Sequence, residues 1–289
     1  MVPIPDKVIA TTTMLAQMQG ASPATAFGRQ LRLWRGWARL SQLELALRAG
    51  LSQRHLSFIE TGRSRPGSDV VLRLAAALDI PLRDRNRLLE SAGLAPHYPE
   101  VALTEGVSAP FRAAVSRLLE AHEPYPAFAL NRWWDVVDAN TAARQLFPAV
   151  TDGFPNAVEA FLAPGGIREM IDNYADVAGM YLRRLQAEVA EASDERSLRL
   201  LARAEELLAD VDLGTDAGDG LVICPRLRFG DEVISTATMV ARFGATREVT
   251  LDELRVELIF PADEAARAFF ERRPRASATP ALPAQQSRQ

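Results

Sequence analysis

Five apolar stripes of helical period, each closed by its own stop signal, follow one another between Thr25 and Gly93. Helices this short are marginal in water on their own, so they must bury their stripes against each other in one module. Phe27, Leu31, Trp34 and Ala38 recur at i, i+4, i+7 and i+11 and share one face of the first helix. Ser41 followed by Glu44 is a capping box that opens the second, which carries Leu45, Ala46 and Ala49 inward and stops at Gly50. Ser52 is a good N-cap for a third helix with Leu56 and Ile59 on its buried side, ending near Thr61-Gly62. After the loop Arg65-Pro66-Gly67, Ser68 is expected to cap a fourth helix with Val71, Leu74, Ala75 and Leu78 inward. A fifth, Arg83 to Ala92, stops at Gly93 with Pro96 beyond.

Only a tight turn separates the second and third helices, which is the arrangement that major-groove reading requires. The groove admits one helix, and the N-terminal turn of that helix reaches the base edges. With Leu56 and Ile59 inward, Gln53, Arg54, Ser57 and Phe58 should face out. Gln pairs bidentately with adenine, Arg with guanine, and an aromatic ring can lie on a thymine methyl. The amides at the helix starts behind Ser41 and Ser52, together with Gln42 and Arg63, are placed to hold phosphates. For His55 a phosphate or solvent contact without a pH role is the preferred reading.

Charge supports that division of labour. Residues 25–98 hold 12 Arg against 6 acidic residues, whereas the rest holds 21 basic against 31 acidic, so a net −4 conceals a basic module and an acidic remainder. A basic small module suggests a polyanion, and the acidic part something else. Lys7 is the only lysine. One cysteine, Cys224, permits no internal disulfide or thiolate cluster, and His55, His97 and His122 lack metal-ligand spacing. No nucleophile elbow, phosphate loop or metal pair marks an enzyme. Asp210, Asp212, Asp216 and Asp219 lack EF-hand spacing and read as a solvated loop. No apolar run is long enough for a membrane span, and the first twenty residues lack a signal-peptide pattern, so a cytoplasmic protein is expected.

Beyond Pro96 the regime changes. Phe111, Ala114, Val115, Leu118 and Leu119 share a face of an amphipathic connector helix. Ala127–Leu130 and Trp133–Val137 then read as a hairpin about Asn131-Arg132, which puts Trp133 and Trp134 on opposite faces, one in the core and one at a pocket or connector surface. Residues 156–210 are helical, with Met170, Ile171, Tyr174, Val177, Ala178 and Tyr181 on one broad face that suits a core as well as a pocket wall. Gly165-Gly166 before Arg168 fits a carboxylate site and fits ordinary loop-and-cap geometry equally. Residues 221–229 and 232–243 flank Gly230-Asp231, a pair suited to a type II′ turn, and 254–260 is one more strand. Cys224 reads as a buried strand residue.

The stretch LRLWRGWARLSQLELALRAGLSQRHLSFIETGRSRPGSDVVLRLAAAL resembles the Cro/XRE helix-turn-helix. With its extension PLRDRNRLLESAGLAP and the later segments HEPYPAFALNRWWDVVDANTAARQLF, APGGIREMIDNYADVA and VTLDELRVELIFPAD, the chain is similar to the MmyB-like branch of that family over roughly residues 25–270. The resemblance implies a multidomain regulator: an all-α five-helix DNA-binding domain, and an α+β PAS-like ligand-binding domain with an antiparallel sheet and a helical insertion. Its ligands are of a suspected fatty-acyl class, and no other cofactor is implied. The boundaries expected are a mobile arm at 1–24, the helix-turn-helix domain at 25–95, a connector at 96–124, the PAS-like domain at 125–272 and a disordered tail at 273–289. It further implies an ion pair between Arg35 and Glu60. The residue patterns themselves offer Trp133, Trp134, Arg168, Met170, Tyr174 and Tyr181, with Met239 at a position where this chain departs from the family, as candidate ligand contacts. Members often carry Asp where Asn131 stands and hydroxyl residues where Met239 and Ala241 fall, which points to a drier pocket or another ligand. A homodimer on a palindromic operator follows from the symmetry of such readers. The alternative is an acidic domain that binds a protein partner and no small molecule.

Overall fold

The computed structural model describes residues 23–101, 109–153, 156–191, 194–213 and 223–272. Of the arm expected at 1–24, residues 1–22 lie outside them and the last two already belong to the first helix, Pro23–Trp37; the tail after 272 and the loop positions Asp216 and Asp219 also lie outside. The chain divides into two compact units, one of residues 1–100 with 245–252, the other of 101–244 with 253–289.

In the first unit the helices are α1 (Pro23–Trp37), α2 (Gln42–Arg48), α3 (Gln53–Glu60), α4 (Ser68–Ala77) and α5 (Leu82–Ser91). Their stripes meet in one core in which Phe27, Leu31, Leu45, Leu56, Ile59, Val71, Leu74, Leu88 and Leu89 are fully buried. Burial of each such side chain contributes about 1.5–3 kcal/mol, and this packing stabilises helices too short to stand alone. Ser68 is the first helical residue rather than the cap expected; Gly67 holds the cap position without a side-chain bond. Arg73 Nη1 donates to the carbonyls of Ala49 and Gly50, tying α4 to the stop of α2. The segment 245–252 belongs here as well: the Val249 amide donates to Pro99 O (3.0 Å), and Val249 and Leu251 are buried. That excursion had no local signal, because its partners lie some 150 positions earlier in a chain of 289.

The second unit is built on a five-stranded antiparallel sheet of order β2-β1-β5-β4-β3, with β1 Ala127–Leu130, β2 Val136–Ala139, β3 Arg226–Phe229, β4 Glu232–Arg242 and β5 Arg255–Pro261. Gly230, at φ 63°, makes the two-residue turn that pairs Phe229 with Glu232, as the sequence pattern predicts. The other hairpin differs from expectation. Asn131 Oδ1 accepts the amides of Trp133 (2.9 Å) and Asp135 (3.0 Å), an Asx turn that keeps both tryptophans out of β2 and holds Trp134 at φ 66°. Cys224 precedes β3 and is half-buried rather than a buried strand residue.

Helix α6 (Ala109–Ala121) covers one face of the sheet, where Val115 and Leu119 pack with Ala127, Ala129, Leu254 and Val256. The opposite face carries Phe128, Leu130, Arg255 and Glu257, since successive strand residues alternate. There follow α7 (Thr141–Leu146), a π-helical turn at Ala149–Gly153, α8 (Ala157–Leu162), α9 (Ile167–Met170), α10 (Tyr174–Glu191) and α11 (Glu195–Leu207). Asn140 is a four-way tie within this unit. It accepts the amides of Ala127 and Ala143 and donates to the carbonyls of Leu119 and Tyr125. An antiparallel sheet with helices gathered around it is the α+β class expected.

His122, at the end of α6, is buried, shares a 2.8 Å hydrogen bond with Ile259 O and meets Phe260 edge-on. Burial pushes its pKa below the ordinary value; the Ile259 carbonyl and Glu123 oppose that more weakly. The unfolded chain therefore binds the proton more readily, so stability is complete above an unfolded pKa of about 6.5 and falls as pH drops below it. Hydrogen exchange in residues 255–261 is expected to accelerate between pH 7.5 and 5.5 in the wild type, after correction for intrinsic rates, and much less in His122→Gln. Equal slopes would refute the assignment.

Candidate nucleic-acid interface and charged core of the second unit

The start of each helix in the pair α2–α3 is set by a serine. Ser41 Oγ accepts the Glu44 amide (3.2 Å) while Glu44 Oε2 accepts the Ser41 amide (2.7 Å), and Ser52 Oγ accepts the His55 amide (3.2 Å). Both serines thus act first as caps, fixing where each first turn points. From α3, Gln53 and Arg54 are exposed, His55, Ser57 and Phe58 are half-buried, and Leu56 and Ile59 are fully buried. The Arg54 guanidinium lies 5.4 Å and that of Arg63 6.0 Å from the centre of the Phe58 ring. Two cations on one aromatic make a compact basic surface at the helix that groove reading needs. Arg63 is exposed in the turn after α3, where its amide donates to Phe58 O.

Gln42 is placed differently from the sequence reading. Its Nε2 donates to Glu60 Oε2 (2.8 Å), so the side chain serves the interior and a phosphate at this helix start would meet backbone amides. Glu60, with a side chain 0% exposed, also accepts from Arg35 Nε (2.7 Å) and Nη2 (3.0 Å), a bidentate pair. Hydrogen bonding to Glu60 raises the Arg35 pKa. The pair locks α1 to the end of α3 and thereby holds the exposed first turn.

The structure separates the pocket residues expected in the second unit into four places. Trp134 is fully buried and meets Tyr181 of α10 edge-on at 5.5 Å. Trp133 is half-buried between Arg132 and Arg196 and donates Nε1–H to Asp194. Arg168 lies over the Tyr174 ring at 4.7 Å, and Tyr174 donates to Leu162 O, with Met170 half-buried at the end of α9. This is loop-and-cap geometry: Gly165 and Gly166 take positive φ before a four-residue helix. Met239 is 61% exposed on β4, because α6 covers the same sheet face only nearer Leu254 and Val256.

Sequence reasoning missed the charged group around Trp134. Arg255 on β5 and Arg184 on α10 lie 4.0 Å and 4.6 Å from its ring, and its Nε1–H donates to Glu188 Oε2 (2.8 Å). Glu188 accepts from Arg255 Nη1 with both oxygens (3.0 Å each) and from Arg184 Nε (3.2 Å). Burial pushes the Tyr181 phenol up, and Glu257 adds to that. Beyond Tyr181 the aromatics continue, with Phe161 stacked on it at 5.4 Å and Phe147 and Phe128 next in line. On the other sheet face an apolar cleft of about 220 Å³ lies between α6 and the strands, lined by Ala114, Val115, Leu118, Phe243 and Val256 among others. None of the seven expected pocket residues lines it.

Among the described residues no helix is long and apolar enough to cross a membrane, and no cluster of His, Cys, Asp and Glu is arranged for a metal.

Residues 31–84 match the helix-turn-helix family, and residues 111–272, more than half of the chain, match the family described as MmyB-like transcription regulator ligand binding domain. An HTH-type transcriptional regulator of Bacillus subtilis, RghRB, is 30% identical over 110 residues, 37% of this chain and 77% of that protein. Another, y4dL of Sinorhizobium fredii, is 43% identical over 54 residues, 19% of this chain and 28% of that protein. Among solved structures, the restriction-modification controller protein C.AhdI of Aeromonas hydrophila is 35% identical, spanning 22% of this chain and 94% of that one, at a TM-score of 0.21.

Proposed function

The chain belongs to the helix-turn-helix transcription regulators with an MmyB-like ligand-binding domain, and from that premise we propose that α3 reads a specific operator while the second unit senses a small apolar molecule, with fatty-acyl compounds the first class to test. The observation that carries the DNA reading is the first turn of α3, capped by Ser52, exposing Gln53 and Arg54 and backed by the Phe58 ring between two arginines. In this reading Arg54 meets a guanine edge, Phe58 a thymine methyl, and Arg63 with the amides behind Ser41 and Ser52 the phosphates.

The protein acts as a homodimer, its two α3 helices about 34 Å apart on a palindromic site. An effector shifts operator binding only to the extent that it binds one arrangement of the two readers better than another. A covalent route between the functions is present in the topology, since β4 and β5 lead into and out of residues 245–252, which pack within the reader's own unit. The competing role for the second unit, docking a protein, has specific support in the exposed Phe111 and Leu118 beside the apolar cleft.

The test uses an operator selected from random DNA and a scrambled control. Arg54→Ala is expected to cost about 1–3 kcal/mol on the selected site and to relax preference at one base pair, whereas Arg63→Ala weakens both DNAs alike and lowers the salt slope by about one. Equal losses on both DNAs for Arg54→Ala would remove it as a base reader.

A further inference from the structure

The walls of the apolar cleft of about 220 Å³ in the second unit come from the elements that lie next in sequence to the first unit. The chain passes between the units after residue 100, after 244 and after 252. Helix α6, the first helix beyond the first passage among the described residues, gives Ala114 and Leu118. The end of β4, just before the second passage, gives Ala241 and Phe243, and the stretch just after the third gives Leu254 and Val256. Phe243 thus stands two residues before, and Leu254 two residues after, the segment 245–252, which belongs to the reader's unit and has Val249 and Leu251 buried. Ala241 pairs with Val256 across the β4–β5 ladder, on the sheet face that α6 covers only in part. Beside the cleft Phe111 of α6 meets Phe243 edge-on at 6.0 Å. Arg242 also borders it, but its guanidinium reaches toward Glu188 of α10, 4.0 Å away on the opposite face.

We propose that this cleft is the effector site, that it takes an uncharged apolar molecule the size of one ring with a short alkyl chain, and that the ligand acts on the reader through the two ends of segment 245–252. Size sets the first limit. An apolar cavity of about 150 Å³ holds benzene and drug-sized ligands occupy about 300–1,000 Å³, and the cleft falls between them. Chemistry sets the second. The side chains of Ala114, Leu118, Ala241, Phe243, Leu254 and Val256 are all hydrocarbon, so burial of apolar surface drives binding and the lining offers nothing to offset the lost hydration of a charge. A protein partner fits less well, because a stable interface buries about 800 Å² on each side. On this face of α6 and the adjoining end of β4 the large apolar side chains left exposed are Phe111, Leu118 and Met239. A ligand wedged between α6 and the strands fixes Phe243 and Leu254 relative to α6 and so restricts the arrangements open to the segment they flank. Operator affinity then changes to the extent that the reader binds DNA better in one of those arrangements. This proposal rests on the reading of the second unit as an effector domain.

The full chain is titrated with butylbenzene and with 4-phenylbutyrate, which carries a carboxylate in place of the terminal methyl, and hydrogen exchange locates the binding. Butylbenzene is expected to slow exchange in residues 239–243 and 254–258 and to bind at least about tenfold more tightly than 4-phenylbutyrate, the equivalent of about 1.4 kcal/mol. Ala114→Leu puts a larger side chain on the exposed wall of the cleft and should weaken butylbenzene at least about tenfold, whereas Ala121→Leu, exposed on the same helix outside the lining, should not. Linkage requires butylbenzene to change the affinity for a selected operator by the factor by which that operator changes the affinity for butylbenzene, expected to be at least about fivefold. No binding of butylbenzene, binding that Ala114→Leu leaves intact, tighter binding of the carboxylate, or binding that leaves operator affinity unchanged would each overturn the assignment. So would exchange in the two cleft segments that slows with protein concentration alone, which would make this face a contact between copies. The molecules released by denaturing the purified protein are titrated into operator binding in parallel. If that extract shifts operator affinity while butylbenzene does not bind, the cleft assignment fails and the effector reading stands; if neither acts, both fail.

Discussion

Glu60→Ala is expected to destabilise the first unit by about 3 kcal/mol, the low end of the range for stranding one partner of a buried pair, and to lower its melting temperature by about 12–24 °C. The carboxylate has no solvent exposure and accepts three hydrogen bonds, two from Arg35 and one from Gln42. Its removal leaves those donors without a partner and opens the contact between α1 and the end of α3. The low end applies because Arg35 keeps 19% of its side chain exposed and can recover some hydration. Calorimetry of the full chain gives the shift, and hydrogen exchange in the α1 and α3 peptides identifies which transition has moved. Arg35→Met/Glu60→Leu together should recover more than half of the loss, because an apolar pair carries no desolvation cost. Operator affinity in Glu60→Ala should fall on all sequences at once, since the whole first turn of α3 is displaced rather than one base contact. An unchanged melting temperature would show that the pair does not hold the helices.

What could be read from the residues alone follows the range of the interactions that set each feature. The capping box Ser41–Glu44, the cap Ser52 and the turn at Gly230 involve neighbours within three positions, and the structure has each where the pattern predicts it. The pairing of α2 with α3 followed from periodicities of the same local kind, whereas the α+β class of the second unit came from the family resemblance. The tryptophan hairpin was misread because strand alternation does not reveal that the Asn131 side chain captures two backbone amides and turns the chain before β2 begins. Gln42 looked like a surface residue because its partner, Glu60, is eighteen positions away. The charged core was least legible of all. In Arg255–Glu257 the alternation of charged and apolar residues reads as a strand with one wet face, and only the packing of α10 turns that face into interior. The signal that was available is compositional: Arg184, Glu188, Arg255 and Glu257 sit in segments otherwise rich in buried Leu and Val.

Gly28→Ala separates local propensity from tertiary packing, because the two predict opposite signs. Gly28 lies inside α1, where Ala is favoured over Gly by about 1 kcal/mol. A Cβ at this position would stand 2.4 Å from Glu60 O and 2.8 Å from Ile59 O, both backbone atoms at the end of α3. Neither can rotate away as a side-chain tip would. Either α1 retreats from α3, loosening the Phe27 and Leu31 contacts on the same helix, or the last turn of α3 deforms and takes the Arg35–Glu60 pair with it. Overpacking of this kind costs typically about 1–3 kcal/mol and occasionally more. With backbone on the receiving side the upper end is expected, so the net loss after the propensity gain is about 2 kcal/mol. Gly36, in the same helix with open space around its Cα, is the control: Gly36→Ala meets no atom within 4 Å and should stabilise by about the propensity difference. If both substitutions raise the melting temperature, the close approach of α1 to α3 is wrong. If only Gly28→Ala lowers it, the glycine is present because two helices touch there, and the position of the reading helix depends on that contact as much as on the ion pair beside it.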